Sequence, residues 1–392
     1  MTSFQLTDLH RIGSNSKFGE CYSALLKPHD IRVAVKYIPI VTNQEHLDRY
    51  FEECQWWLLS NVCEEFSTLR EITISEIARR TNHLHTPQLL WSGLMKYQGN
   101  NGDSTQWVNP HLQYKQVPTP DADPRGVSTM ITDLCDGDMW SWLKVKHGRE
   151  QWISMIVQCL FSLCIIEDPE LSLSHRDSHR GNWLYTKIPN PASKIKYLRY
   201  IVTDEEGQHE FFVKSRDTWK IADFGKAKRM KYNVRRSFLK MHEDIIRFLD
   251  SAIGPYDETD VRKNVIKTTL NKEQTQIIFA ANENTAYTLS VCQSFYPPAW
   301  QTLKDIYQSA IGTRFLQRKD SLDVSQVLNY DNPIELNIKR VQIFTNDELP
   351  IIRDVDTSNM FVDLLPPVAA PPRSTTTSNT TSKKRKRCSS SK

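Results

Sequence analysis

Ser174-His175-Arg176-Asp177-Ser178-His179-Arg180-Gly181-Asn182-Trp183-Leu184, answered downstream by Ile221-Ala222-Asp223-Phe224-Gly225, decides how this chain is read. Asp177 is a carboxylate placed to receive a hydroxyl proton, and Asn182, five residues on, has the spacing that lets both side chains face one cleft. Asp223 supplies a hard carboxylate oxygen of the kind Mg²⁺ prefers. Upstream, Val33-Ala34-Val35-Lys36 reads as a strand that carries a cation. Moving a phosphoryl group needs a bound nucleotide, a divalent metal, a positive charge on the phosphates and a group that orients the incoming hydroxyl, and each need has a candidate here. The order of the pieces and their strand-like flanks give them weight that no three-residue string has alone.

Working outward, Phe4–Leu6, Ile12–Gly13, Glu20–Ala24 and Ile31–Ile38 read as strands, with Gly13 and Gly19 bracketing the first turn. From about Asn43 to Thr81 apolar residues recur at three- and four-residue spacing, which predicts two helices. A polar stretch over 98–126 predicts an exposed insertion. A second insertion, 187–218, has strand-like runs at Ile195–Val202 and Glu210–Val213 around Asp204-Glu205-Glu206-Gly207, which predicts a β-hairpin. From Arg235 to about Leu316 the chain reads mainly helical. Beyond Asn359 the composition shifts to Pro, Ser and Thr, so residues 357–392 are expected to be a disordered tail.

The chain has 392 residues, 39% of them hydrophobic, enough for two ordinary domains or one large two-lobed domain. Its net charge of +4 is unevenly spread: from Thr357 on, seven Lys or Arg stand against Asp363 alone. The body is therefore slightly acidic, and specific nucleic-acid binding is not expected of it. Eight cysteines lie far apart with no Cys-x-x-Cys pair, and no charged-then-apolar leader opens the chain, so a reducing, intracellular setting is expected. The apolar run Ile153–Ile166 contains Ser154, Gln158 and Ser162 and falls short of the roughly 20 residues that span a bilayer, so it is read as a buried helix without membrane association. Lys383-Lys384-Arg385-Lys386-Arg387 has the density of a nuclear localisation signal, which makes a nuclear import receptor an expected partner.

With these residues in view, the chain resembles a eukaryotic-type protein kinase, with matching pieces from about residue 8 to residue 250. The resemblance implies an α+β, two-lobed domain over residues 5–350, with a β-rich N-lobe at about 5–131 and a mainly helical C-lobe at about 135–350. It implies ATP and Mg²⁺ as cofactors, with Mn²⁺ as an alternative metal, and a protein hydroxyl, Ser or Thr, as acceptor; a monomer is expected. Lys36 would contact the α- and β-phosphates and pair with a helix glutamate, Glu76 being chosen and Glu71 its competitor. Ile131 would be the gatekeeper, Thr132 and Leu134 would offer backbone hydrogen bonds to adenine, and Asp138 would meet the ribose. Asp177 would be the catalytic carboxylate, Asn182 and Asp223 the metal ligands, and Asp244 the buried acid that braces the catalytic loop.

Three departures stand against that pattern. Gly13-Ser14-Asn15-Ser16-Lys17-Phe18-Gly19 is one residue longer than Gly-x-Gly-x-x-Gly and lacks its middle glycine, so it would wrap phosphates less tightly. His179 stands where typical serine/threonine kinases have lysine and would, as a catalytic residue beside Asp177 and Lys36, donate to the γ-phosphate and stabilise its charge; this Asp-x-His-x-x-Asn arrangement is similar to haspin-type and viral-type kinases and to small-molecule kinases of the aminoglycoside and choline type. No Ala-Pro-Glu follows Gly225; a basic run from Lys226 leads straight into a helix. These departures keep two rival readings open, a small-molecule kinase and a non-catalytic scaffold.

Overall fold

Alternation along Val33-Ala34-Val35-Lys36-Tyr37-Ile38 sends successive side chains to opposite faces of a sheet, and the computed structural model shows what each face meets. The structure describes residues 5–12, 20–40, 71–72, 74–75, 84–96, 126–168, 171–188, 196–230, 235–253, 270–317 and 322–342. These all belong to one compact unit, Met1–Pro350. The glycine-rich turn with Gly13 and Gly19, Glu76, the 98–126 insertion apart from Gly126, and the tail with Lys383 to Arg387 lie outside them.

Five antiparallel strands, β1 (Gln5–Ile12), β2 (Glu20–Lys27), β3 (Ile31–Ile40), β4 (Leu89–Lys96) and β5 (Gly126–Asp133), form one sheet in the order β1-β2-β3-β5-β4. On one face Val33 and Val35 are buried with Ala24, Leu26 and Ile131. On the other, Ile38 joins Met130 and Leu89, with Ile72 of a helical stretch packed over them. Period two therefore puts Lys36 on the face that this helix covers. The structure makes the chain an α+β protein, with a β-rich N-terminal part and helices in the C-terminal part.

After the two-residue strand β6 (Gly137–Asp138) comes a short helix, α1 (Met139–Trp142), and then α2 (Arg149–Glu167), around which the largest core is built. Helix α2 is long and apolar enough to cross a membrane by length and composition, yet it is buried from Trp152 to Glu167. Its polar side chains are spent inside the protein. Gln158 Nε2 donates to Ser215 Oγ at 2.9 Å, its Oε1 accepts from Trp219 N at 3.1 Å, and Ser162 Oγ donates to Gln158 O at 2.9 Å.

Strands β7 (Leu173–Ser174) and β8 (Trp183–Lys187) flank the first signature stretch. The expected hairpin forms as β9 (Lys196–Asp204) and β10 (Gly207–Ser215), turning through Glu205-Glu206. It is more than an insertion between motifs. Leu198, Tyr200, Val202, Phe211 and Val213 enter the main core, and a later strand at Ile334–Asn337 pairs in parallel with β9. At the hairpin's end the buried Asp204 accepts from His209, Trp300 Nε1 and Lys304. Burial would raise that carboxyl, but the bonds from Lys304 and His209 bring it down to about 2.

Strand β11 (Asp217–Ile221) pairs with β8 and leads into the second signature stretch, and the two-residue β12 (Lys228–Arg229) pairs with β7. Among the described residues three helices follow, α3 (Arg235–Ala252), α4 (Lys272–Val291) and α5 (Pro298–Gln308), in the stretch read as helical. Phe238, Met241, Ile245, Phe248, Leu249 and Ala252 mark the inward stripe of α3 at three- and four-residue spacing.

His85, just before β4, ties the two halves together. Its Nδ1–H donates to Trp219 O at 2.8 Å and its Nε2 accepts from Tyr200 Oη at 2.9 Å, so the buried ring is neutral. Burial pushes its pKa down to about 4. The unfolded chain takes up this proton near the ordinary value of about 6.5, so the stability His85 confers is intact above that pH and is lost as the pH falls toward 4. Chemical denaturation of wild type and His85→Asn at pH 7 and about pH 4.5 is expected to show a steeper acid loss in wild type, by on the order of 2–3 kcal/mol. Equal losses would contradict the neutral, buried ring.

Candidate active site

Lys36 Nζ lies 2.6 Å from Glu71 Oε1 and 3.1 Å from Asp223 Oδ1. Burial alone would lower the Lys36 pKa, but the two carboxylates outweigh it and hold the ammonium well above its ordinary range. Glu71 is pushed up by burial against the pull of Lys36. Its side chain is only 7% exposed whereas Asp223 is 46% exposed, so Lys36 has one enclosed partner and one that opens to solvent. The carboxylate seen to meet Lys36 is Glu71, the competitor; Glu76, the partner chosen from the sequence, lies outside the described residues.

Asp223 adopts a left-handed backbone, φ 64° and ψ 70°, and caps the short turn Phe224–Lys226. Lys36 holds its carboxyl below the usual carboxylate range, against the opposing effect of burial.

The first signature stretch is a closed loop. Asn182 Nδ2 donates to Asp177 O at 2.8 Å, which leaves the amide oxygen of a nearly buried side chain for another use. Beneath the loop, Asp244 on α3 accepts from His175 N and Arg176 N, each at 2.7 Å, and from Ser174 Oγ at 2.8 Å. The expected brace is thus in place. Arg176 has φ 63°, a strained value for a non-glycine residue, and Asp244 fixes its amide and the one before it. Burial raises the Asp244 carboxyl, and removing a buried acceptor of this kind costs several kcal/mol because the donors it serves lose their partner.

The two signature stretches are bonded to each other. Ala222 N donates to Asn182 O at 2.9 Å, and His175 Nε2–H donates to Ala222 O at 3.0 Å. Lys226, three residues past Asp223, places its Nζ 2.8 Å from Asp177 Oδ2. His179 Nε2 is 3.7 Å from the same oxygen, beyond hydrogen-bond length. So Lys36, Glu71 and Asp223 form one group, Asp177, Asn182, His179 and Lys226 a second, and main-chain bonds join them.

Of the expected adenine contacts, Thr132 lies on β5 opposite Ala34, two places along β3 from Lys36, and Leu134 follows the strand. Ile131, the expected gatekeeper, is fully buried between the strands. Asp138 caps α1, its Oδ1 accepting from Ser141 N at 2.8 Å, so one carboxylate oxygen already has a structural task. Asp133, which was given no role in the sequence reading, forms an ion pair with the buried Lys220 of β11 and ties β5 to the strand that leads to Asp223. Lys226 was legible only as part of a basic run; its position directly after Gly225 was the available signal.

Among the described residues no group of three or more His, Cys, Asp or Glu could hold a metal ion. Mg²⁺ does not need one, since it is commonly held by one or two carboxylates together with substrate phosphates and water. A half-exposed Asp223 carboxylate and an Asn182 amide oxygen are hard donors that fit this ion.

No protein-family model matches the chain, and no curated protein matches it. Among solved structures it is similar to the autoinhibited serine kinase domain of the giant muscle protein titin, at 11% identity and a TM-score of 0.39, over 84% of this chain and 85% of that one. At that level of likeness, function must be read from the side chains themselves.

Proposed function

We propose that this chain is an ATP-dependent protein kinase with a haspin-like Asp-x-His-x-x-Asn loop, transferring the γ-phosphoryl group to a serine or threonine hydroxyl. The observation that carries this reading is the meeting of Lys36, Glu71 and Asp223 at 2.6 and 3.1 Å, on a segment hydrogen-bonded to the loop of Asp177 and Asn182. In this reading Lys36, steadied by Glu71, holds the α- and β-phosphates. Thr132 and Leu134 bind adenine through their backbone, and Asp138 serves the ribose with its remaining oxygen. Asn182 and Asp223 hold Mg²⁺, which when bound neutralises charge on the phosphate oxygens. Asp177 accepts the proton of the attacking hydroxyl, and the rest of the catalysis is positioning. The basic string Lys383 to Arg387 is proposed to bind a nuclear import receptor.

Incubation with Mg²⁺ and γ-labelled ATP, with casein, histones and basic protein beside choline and aminoglycosides, tests the reading. Label is expected in polypeptide, on serine or threonine by mass spectrometry. Label in the small molecules alone would favour the rival enzyme class, and none in any acceptor would favour the scaffold.

A further inference from the structure

We infer that Lys226 supplies the phosphate-directed cation that this chain lacks two residues after Asp177. The inference rests on the phosphotransferase reading above and names a residue that reading does not use.

His179 is poorly placed for the task. Its Nδ1 accepts from Gly181 N at 3.0 Å and so caps the turn Arg180–Asn182. That ring nitrogen is thus occupied within the loop, and the other lies 3.7 Å from the Asp177 carboxylate. The loop thus uses His179 for its own shape.

Lys226 is held where a cation is wanted. Its turn is anchored on both sides, by Phe224 and Ala227, each buried, with Ala227 N donating to Phe224 O at 2.9 Å. Immediately after it, Lys228 and Arg229 pair with Leu173 and Ser174, the strand that enters the loop of Asp177. The backbone of Lys226 is therefore fixed relative to Asp177, while its side chain, 56% exposed, keeps the freedom to reach a bound phosphate.

The acceptor oxygen bonds to the γ-phosphorus, the bond from that phosphorus to the bridging oxygen breaks, ADP leaves with the electron pair, and the acceptor's proton passes to Asp177. The Lys226 ammonium orients the Asp177 carboxylate before transfer and donates to the γ-phosphate oxygens as it proceeds. The Lys226 ammonium, 2.8 Å from the Asp177 carboxylate, stands closer to the reacting group than the His179 ring at 3.7 Å.

The test compares kcat, KM for ATP and nucleotide Kd in wild type, Lys226→Gln, Lys226→Arg and the double variant Lys226→Gln with His179→Lys, each checked for an unchanged melting temperature. Lys226→Gln is expected to lower kcat by roughly 100-fold with Kd within about threefold. Lys226→Arg should keep most of kcat, and the double variant should recover at least about tenfold over Lys226→Gln by returning an ammonium to the loop. Three outcomes would overturn the role: a Lys226→Gln kcat within about twofold of wild type, a raised kcat, which would make the pair a resting lock, or no recovery in the double variant. A wild type that transfers no phosphate to any acceptor overturns the phosphotransferase reading, and this role with it, by a readout distinct from all three.

Discussion

Replacing Asp177 with asparagine is expected to lower kcat for phosphoryl transfer by roughly 10²- to 10⁴-fold while leaving nucleotide affinity within a few fold. Asparagine keeps the size of the side chain but cannot take up the acceptor's proton. Little else in the loop should change, because its shape is set elsewhere. Asn182 bonds the main-chain oxygen of residue 177 and not its carboxylate, and Asp244 holds the amides of His175 and Arg176 from below. The variant also removes the anion that faces Lys226, which should make the site more welcoming to phosphate, so a loss of affinity is not the expected cause of a lost rate. Label transfer at saturating ATP, beside a binding titration, separates the two. Equal rates in variant and wild type would mean that the proton goes elsewhere.

Much of the β-rich part could be read from the chain because a half-buried strand writes its geometry as alternation. Val33, Val35 and Ile38 declare their faces, and Lys36 follows by parity. The apolar run of α2 was equally plain, its three polar residues marking a buried helix with internal bonds to make. The hairpin turn at Glu205-Glu206 was visible too. Its role was not, since the strand that completes its sheet, Ile334–Asn337, comes about 130 residues later and a parallel pairing leaves no local mark.

The site was legible in its motifs and less so in its partners. Choosing Glu76 over Glu71 required the phase of a helix against a sheet, which depends on where the helix starts and not on which acids it carries. Asp138 reads the same as a ribose ligand or a helix cap until its Ser141 amide is seen. Lys220 and Asp133 sit 87 residues apart, and Lys226 looked like one charge among several. Long side chains that meet across the fold leave no spacing to detect.

The second large effect concerns nucleotide itself. Lys36 is the partly buried cation on the phosphate side of the proposed site, and a charge-assisted bond of this kind is worth about 1.5–3 kcal/mol. Lys36→Met should therefore weaken ATP by roughly 10- to 100-fold, and Glu71, left without its cation in a buried seat, should favour its protonated form. Asp223→Asn removes the most exposed oxygen ligand proposed for Mg²⁺ while leaving Glu71 on Lys36.

Calorimetric titration of ATP into wild type, Lys36→Met and Asp223→Asn, each with and without Mg²⁺, tests the shared cleft most directly. The account predicts that Mg²⁺ tightens binding to wild type, that Lys36→Met is weaker in both conditions, and that Asp223→Asn loses the increment due to metal. A wild type that binds no ATP, or three proteins with the same affinity regardless of Mg²⁺, would contradict it.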